Sequence, residues 1–448
     1  MPIPKLSTDE IIRLCREYTL FEWSVQSKVK PIPVDRAEGV YFWDTDGKRY
    51  IDFNSQLMNV NIGHHNKKVI QAIKNQLDKL IYTSPFNATD VRGLLGKLLS
   101  EVTPGDLKKS FFTLGGAEAN ENAVKIARFY TGKHKILARY RSFHGGTAAA
   151  ITLTGDPRRW PIEPGVPGII HFLDPYCYRC PFGQIVETCR LECAKHLEEV
   201  IMYEGPQTIA AVLIETVTGT NGIIVPPKDY LQQVRSICDK NNILLVCDEV
   251  MSGFGRCGEW FAVDHWNVTP DIITCAKGLT SGYVPLGAAI LSEKIGQYFE
   301  DHPLYAGLTC NSHALGCATA IAMINVYKEE GLIENARKMG KILGRELEKL
   351  KAKHPSIGDV RYIGLFSIIE FVKNRKSKEP LAPFNAKLEE MGAMSKLDRF
   401  LKENGFYSFV RWNTMHLNPP LCITEEQILE GLSIVDKGLT ITDEAMVG

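Results

Sequence analysis

Apolar runs that do not alternate, each followed by a turn of small or polar residues and then a helical stretch, constrain this chain most. "SFFTLGGAEANENAVKIARFYTG", "TIAAVLIETVTG", "NNILLVCDEVMSGFG" and "PDIITCAKGL" repeat that order. Strands buried on both faces read as continuous Val, Ile and Leu runs. Strands separated by helical patterns predict a parallel sheet with right-handed crossovers. The expected fold class is α/β: a large, mostly parallel sheet with helices on both faces, plus a smaller α/β domain. Residues 61–315 read as the large domain. Residues 1–60, with the Asp-Gly hairpin signal in "GVYFWDTDGKRYIDFNS", and 316–448 read as the two halves of the small one. After 316 the pattern predicts one long helix through "ATAIAMINVYKEEG" and "LIENARKMGKILGRELEKLKAK", a strand-like "RYIGLFSIIEFV" and a last helix from "TEEQILEGLSIVDKGL".

Composition narrows the function classes. With 52 basic and 52 acidic residues the formal charge is zero, which argues against nucleic acid as a partner and against a charged membrane surface. No apolar run nears the twenty or so residues of a membrane span, and "MPIPKLSTDEIIRLCREY" lacks a signal-peptide core. Twelve scattered cysteines suit a reducing cytoplasm. Cys177, Cys180, Cys189 and Cys193 read C-x2-C then C-x3-C, which fits a tetrahedral metal, free thiols in a surface excursion or an adventitious disulfide. The segment has no flanking finger pattern, and no metal is assigned.

Ligands of such sheets bind where strands end at their carboxyl edges. There stand Gly115, Gly116 and Ala117 before a helix expected to begin near Glu118, then Phe143 and His144, Glu215, Asp248 and Lys277. Singly each has a plain reading as turn, core, cap or surface residue. Together they supply a phosphate cradle, an aromatic to stack on a ring, an acid and an amine. Pyridoxal phosphate needs those parts: a lysine for a Schiff base and a carboxylate to keep its pyridine nitrogen protonated.

The stretches "FFTLGGAEANENAVKIAR", "YRSFHGGT", "LLVCDEVMSGFGRCGEWFAVDHWNVTPDIITCAKGL" and "PLGA" resemble the class III pyridoxal-phosphate aminotransferases, the ω-aminotransferase family. The likeness runs from "EGVYFWDTDGKRYIDFNS" to "PPLCITEEQI". It implies fold type I and a homodimer, or a dimer of dimers, with sites at the subunit interface. It implies Lys277 as the Schiff-base lysine, Asp248 on the pyridine nitrogen, and Val250 and Phe143 on the two ring faces with His144 beside them. Gly116 and Ala117 would bind phosphate, Thr309 of "GLTCNSH" would reach the partner's phosphate, and Glu215 would lie near the cofactor. The chain departs from the family pattern at Gly115 (usually Ser), Met251 (often Gln) and Thr216 (usually Pro).

For substrate, the likeness places Leu57 and Met58 near the site; Trp23 and Phe86 read as apolar walls, and plain core is the other reading of any of them. The arginine of ornithine-type members is replaced by His416, ahead of Pro419 and Pro420. Arg411 stands nearest the position of a mobile carboxylate-binding arginine; its other reading is a surface arginine on a strand edge. The opening "LFEWSVQSKVKPIPVDRAEGVYFWD" resembles the taurine and β-alanine branch. The expected reaction moves an amino group from an ω-amino acid or primary amine to pyruvate or 2-oxoglutarate. Lyases, racemases and aminomutases of the same family share Lys277 and Asp248. A non-catalytic cofactor-binding regulator is the alternative from another class, and intact Lys277, Asp248 and Glu215 argue against it.

Overall fold

The apolar runs become a seven-stranded sheet at the centre of the molecule. The structure is a computed structural model and describes residues 4–446. Across the sheet the strands run Leu107–Thr113, Gly287–Ser292, Ile272–Cys275, Leu244–Asp248, Ile209–Glu215, Lys135–Arg139 and Ile169–Phe172. From Ile272–Cys275 to Ile169–Phe172 all neighbours are parallel. Gly287–Ser292 is antiparallel to both of its neighbours. Every residue of Ile209–Glu215 is buried, as expected for a strand covered on both faces. Two apolar cores form, one on each side of the sheet.

The two ends of the chain meet in smaller sheets. Val34–Glu38, Tyr41–Asp44 and Arg49–Asp52 form an antiparallel set, and Phe406–Tyr407 adds to it parallel to Arg49–Asp52. Ile357–Ile363, Phe366–Asn374, Thr414–Leu417 and Phe409–Arg411 form another.

Three local expectations need correction. The helix after the first strand spans Gly116–Thr131 rather than starting near Glu118. The long C-terminal helix is two, Ala314–Glu329 and Leu332–Lys353. They part at Gly331, whose φ of 59° breaks the helical path at no steric cost. The Ala314–Glu329 helix packs on Lys67–Lys79 and Asp90–Val102. "RYIGLFSIIEFV" is a hairpin of two strands, not one.

Among the described residues no helix is long and apolar enough to cross a membrane. All twelve cysteines are free. Cys177, Cys180, Cys189 and Cys193 share one excursion after the Ile169–Phe172 strand. Among the described residues no group of three or more His, Cys, Asp and Glu side chains is arranged to hold a metal ion.

Candidate active site

Sheet register sets the site. Glu215 lies opposite Asp248, and Asp248 opposite Thr274, so three adjacent parallel strands end on one rung. Lys277 follows three residues past Thr274, in the short 3-10 turn Lys277–Leu279. Glu215, Asp248 and Lys277 line a cavity of about 580 Å³.

Alternation along the Leu244–Asp248 strand separates its two adjacent acids. Asp248 faces the cavity. Glu249 is buried away from it, accepting from Thr216 Oγ1 and from the Val263 and Ala262 amides at 2.8–3.0 Å. Burial raises the Glu249 carboxyl to about 7.

Asp248 is tightly held. Its Oδ2 accepts from Asn120 Nδ2 at 2.7 Å and lies 2.7 Å from His144 Nδ1; its Oδ1 accepts from the Val250 amide at 3.0 Å. Asn120 in turn accepts from Thr274 Oγ1 at 2.7 Å. Asn120 and Thr274 escaped the sequence reading. Asn120 had a signal: four residues past Gly116, it lies on the same helix face. His144 is buried and its Nε2 has no partner. It is therefore the aspartate's neighbour as well as that of Phe143.

Glu215 is buried, and burial raises its carboxyl above the ordinary range. It accepts from the Phe143 amide at 3.0 Å and the Gly219 amide at 2.7 Å, so it fixes the backbone that carries Phe143. Lys277 has φ +34°, a left-handed conformation costing a non-glycine residue about 1–3 kcal/mol. Burial lowers its ammonium to about 8, despite the opposing pull of Glu215 and Asp248. Among the described residues no carboxylate forms an ion pair with Lys277.

Gly116 and Ala117 open the Gly116–Thr131 helix at the cavity wall, where first-turn amides are free to meet an anion. A Cβ on Gly116 would lie 2.8 Å from Val250 Cγ1. Phe143, Val250, Trp23 and Leu57 also line the cavity. Trp23 meets Phe143 edge-on, with ring centroids 5.9 Å apart.

Of the expected residues, Met58, Phe86 and Arg411 do not line the cavity, and Thr309, expected at a partner's site, does not reach this one. Met58 is buried in the apolar core, because the turn around Gln56 and Leu57 sends the two neighbours in opposite directions. Phe86 is 98% exposed, and Thr309 is exposed at the surface. Arg411 does not line the cavity: its side chain is 13% exposed and pairs with Asp156 at 3.1 Å. His416 is fully buried with both ring nitrogens unpartnered, and burial lowers it to about 3.

The class III aminotransferase family model matches residues 23–439. This chain belongs to the class III aminotransferases. It is 36% identical to the taurine–pyruvate aminotransferase of Bilophila wadsworthia, over 97% of this chain and 98% of that one. It is 34% identical to the leucine/methionine racemase of Thermococcus litoralis, over 98% and 97%. Among solved structures, the taurine:2-oxoglutarate aminotransferase of Bifidobacterium kashiwanohense, in complex with PLP and glutamate, matches with a TM-score of 0.95 and 40% identity. The match covers 99% of this chain and 100% of that one. As a class III member the protein is a transaminase of fold type I, and its cofactor is pyridoxal phosphate.

Proposed function

We propose that this aminotransferase takes its amino group from an amine bearing a remote acidic group, of the taurine, β-alanine or 4-aminobutyrate type. The acceptor is a 2-oxo acid such as pyruvate or 2-oxoglutarate. The observation that carries the reading is that Glu215, Asp248 and Lys277, from the ends of adjacent parallel strands, line one cavity.

The residues present fit the cofactor. The Gly116 and Ala117 amides suit its phosphate. The buried Asp248 carboxylate, already fixed by Asn120 and His144, suits its ring nitrogen. Phe143 and Val250 suit the two ring faces, and Lys277 suits its aldehyde. Bound there, pyridoxal phosphate supplies an electron sink for the carbanion formed when a substrate C–H proton leaves. Lys277, with its ammonium lowered to about 8, can carry that proton in either direction near neutral pH.

A homodimer is part of the proposal. Leu80, Ile81, Tyr82 and Phe86 form an exposed apolar stretch. Tyr82 donates to the Thr309 carbonyl at 2.8 Å, so that stretch and the Thr309 loop form one surface. An exposed apolar patch of this kind suits a partner. A second copy would cover it and receive Thr309 at its own site.

The test is a panel of amine donors against pyruvate and 2-oxoglutarate, followed by product analysis and cofactor absorbance. Transfer from acidic amines supports the proposal; no transfer from any amine to either acceptor sinks it. The likeness to a racemase favours a second reading, in which the site moves a proton without an acceptor. Loss of optical activity in a single amino acid without any 2-oxo acid would select that one.

A further inference from the structure

A second cleft, of about 430 Å³, opens at the edge of the central sheet and shares no wall residue with the cavity that holds Lys277. The parallel neighbours Lys135–Arg139 and Ile169–Phe172 end side by side there. Tyr140 and Arg141 follow the first strand, Leu173 and Asp174 the second, and all four line the cleft. The carboxyl ends of parallel strands are where ligands of such sheets collect.

Three guanidiniums line this cleft, from Arg141, Arg159 and Arg179, against the one carboxyl of Asp174. Asp174 is buried, accepts from the Arg141 amide at 2.9 and 3.1 Å, and is raised to about 6 by that burial. Arg159 pairs with Glu163 and Arg179 with Glu370. Each still keeps one buried N–H without a partner, Nε of Arg159 and Nη2 of Arg179. Arg141 has more to spare. Among the described residues its guanidinium forms no ion pair and no hydrogen bond; only its amide donates. What holds it are rings: it lies 4.9 Å from the centroid of Tyr176 and 4.9 Å from that of Phe384. Stacking on ring faces fixes the plane of a guanidinium and leaves its donors free at the edge.

The other walls are aromatic. Tyr140, Trp160 and Phe384 line the cleft and are 43–50% exposed. A cleft walled by one sign of charge and by rings focuses its field on the space inside. Free guanidinium donors beside exposed rings suit a ligand with a flat face and a negative end.

We propose that this cleft is a second binding site, for a small aromatic ring bearing a phosphate or a carboxylate. Arg141 is the main contact of the anion, Arg159 and Arg179 add donors, and Trp160 and Tyr140 are the platform for the ring. A mononucleotide and an aromatic acid both present that chemistry. The site does not depend on which amine the enzyme uses.

Calorimetry on the holoenzyme tests it, after the cofactor aldehyde has been capped with aminooxyacetate so that the Lys277 cavity is filled. Phenyl phosphate, adenosine monophosphate and benzoate are titrated, with inorganic phosphate and cyclohexanecarboxylate as partners lacking the aromatic ring. A ring anion should bind once per chain, about tenfold or more tighter than its ringless partner. Binding by the phosphates makes the site one for nucleotides, and binding by benzoate alone one for aromatic acids. Arg141→Met should weaken that binding about ten- to hundredfold, and Arg141→Lys should recover only a minor part. Trp160→Ala should weaken the ring anions about tenfold and leave the ringless ones unchanged. No saturable heat from any ring anion up to about 5 mM overturns the site. So do ringless partners that bind as tightly, or both variants within about twofold of the parent. If Arg141→Met does not fold, as judged by thermal unfolding, Trp160→Ala at the half-exposed rim decides alone.

Discussion

At the scale of residues, the site works by holding a few charges where water would normally screen them. Lys277 is the clearest case. Only a neutral amine attacks an aldehyde, and burial lowers this one to about 8. Capture of pyridoxal phosphate by the apo-protein should therefore speed up from about pH 7 to about pH 9 and then level off. An unperturbed lysine would keep gaining towards a pKa of about 10.4. Stopped-flow absorbance across that range checks it, and Lys277→Ala should show no covalent capture at any pH. Asp248 gives a second expectation. Asp248→Asn keeps Asn120 and His144 within reach but removes the negative charge. Cofactor should remain bound while turnover falls by several orders of magnitude, as when an electron sink is lost. Equilibrium dialysis and steady-state rates separate the two effects. Both residues stand out in the sequence because each follows an apolar strand. The sequence did not reveal that Arg411 pairs with Asp156, since nothing in "SFVRWN" carries that contact until the fold brings the two together.

At the scale of elements, what matters is where strands stop and helices begin. The Gly116–Thr131 helix starts against Val250, so Gly116→Ala would press a methyl onto a residue that lines the cavity. The variant should fold and bind pyridoxal phosphate about tenfold more weakly, a loss of about 1.4 kcal/mol; titration of the apo-protein measures it. A cap far from the site offers a contrast. Thr424 accepts from the Gln427 amide at 3.3 Å, and the Gln427 side chain returns a bond to the Thr424 amide at 3.0 Å. Thr424→Ala should cost about 1 kcal/mol of stability and leave kcat/KM alone; thermal unfolding beside a rate assay shows whether it does. Element types were legible along most of the chain, since period and apolar run length reflect burial directly. Breaks were not. Gly331, with a left-handed φ of 59°, parts the apparent single helix into two. Likewise nothing in "PLGAAILS" reveals that Gly287–Ser292 runs against its neighbours.

At the scale of the whole molecule, the exposed Leu80–Phe86 stretch and the Thr309 loop predict assembly. The protein should sediment as a dimer. Phe86→Asp should shift it towards monomer and release cofactor in parallel, because Thr309 would no longer reach a second site. Ultracentrifugation with cofactor absorbance as the signal follows both; an unchanged dimer would return Phe86 to an ordinary surface position. What the sequence by itself determined is the fold class, the family, the cofactor and the order of Gly116, Phe143, Glu215, Asp248 and Lys277 along the chain. Those follow from burial period and from motifs confined to a few consecutive residues, which no distant contact can alter. What only the tertiary structure decided is which side chains share a space. Asp248 meets Asn120 and His144, and Asp156 pairs with Arg411 from 255 positions away. Met58 goes into the core while Leu57 lines the cavity. Such choices depend on the balance of charges and volumes brought together by folding, and that balance has no period for a sequence to display.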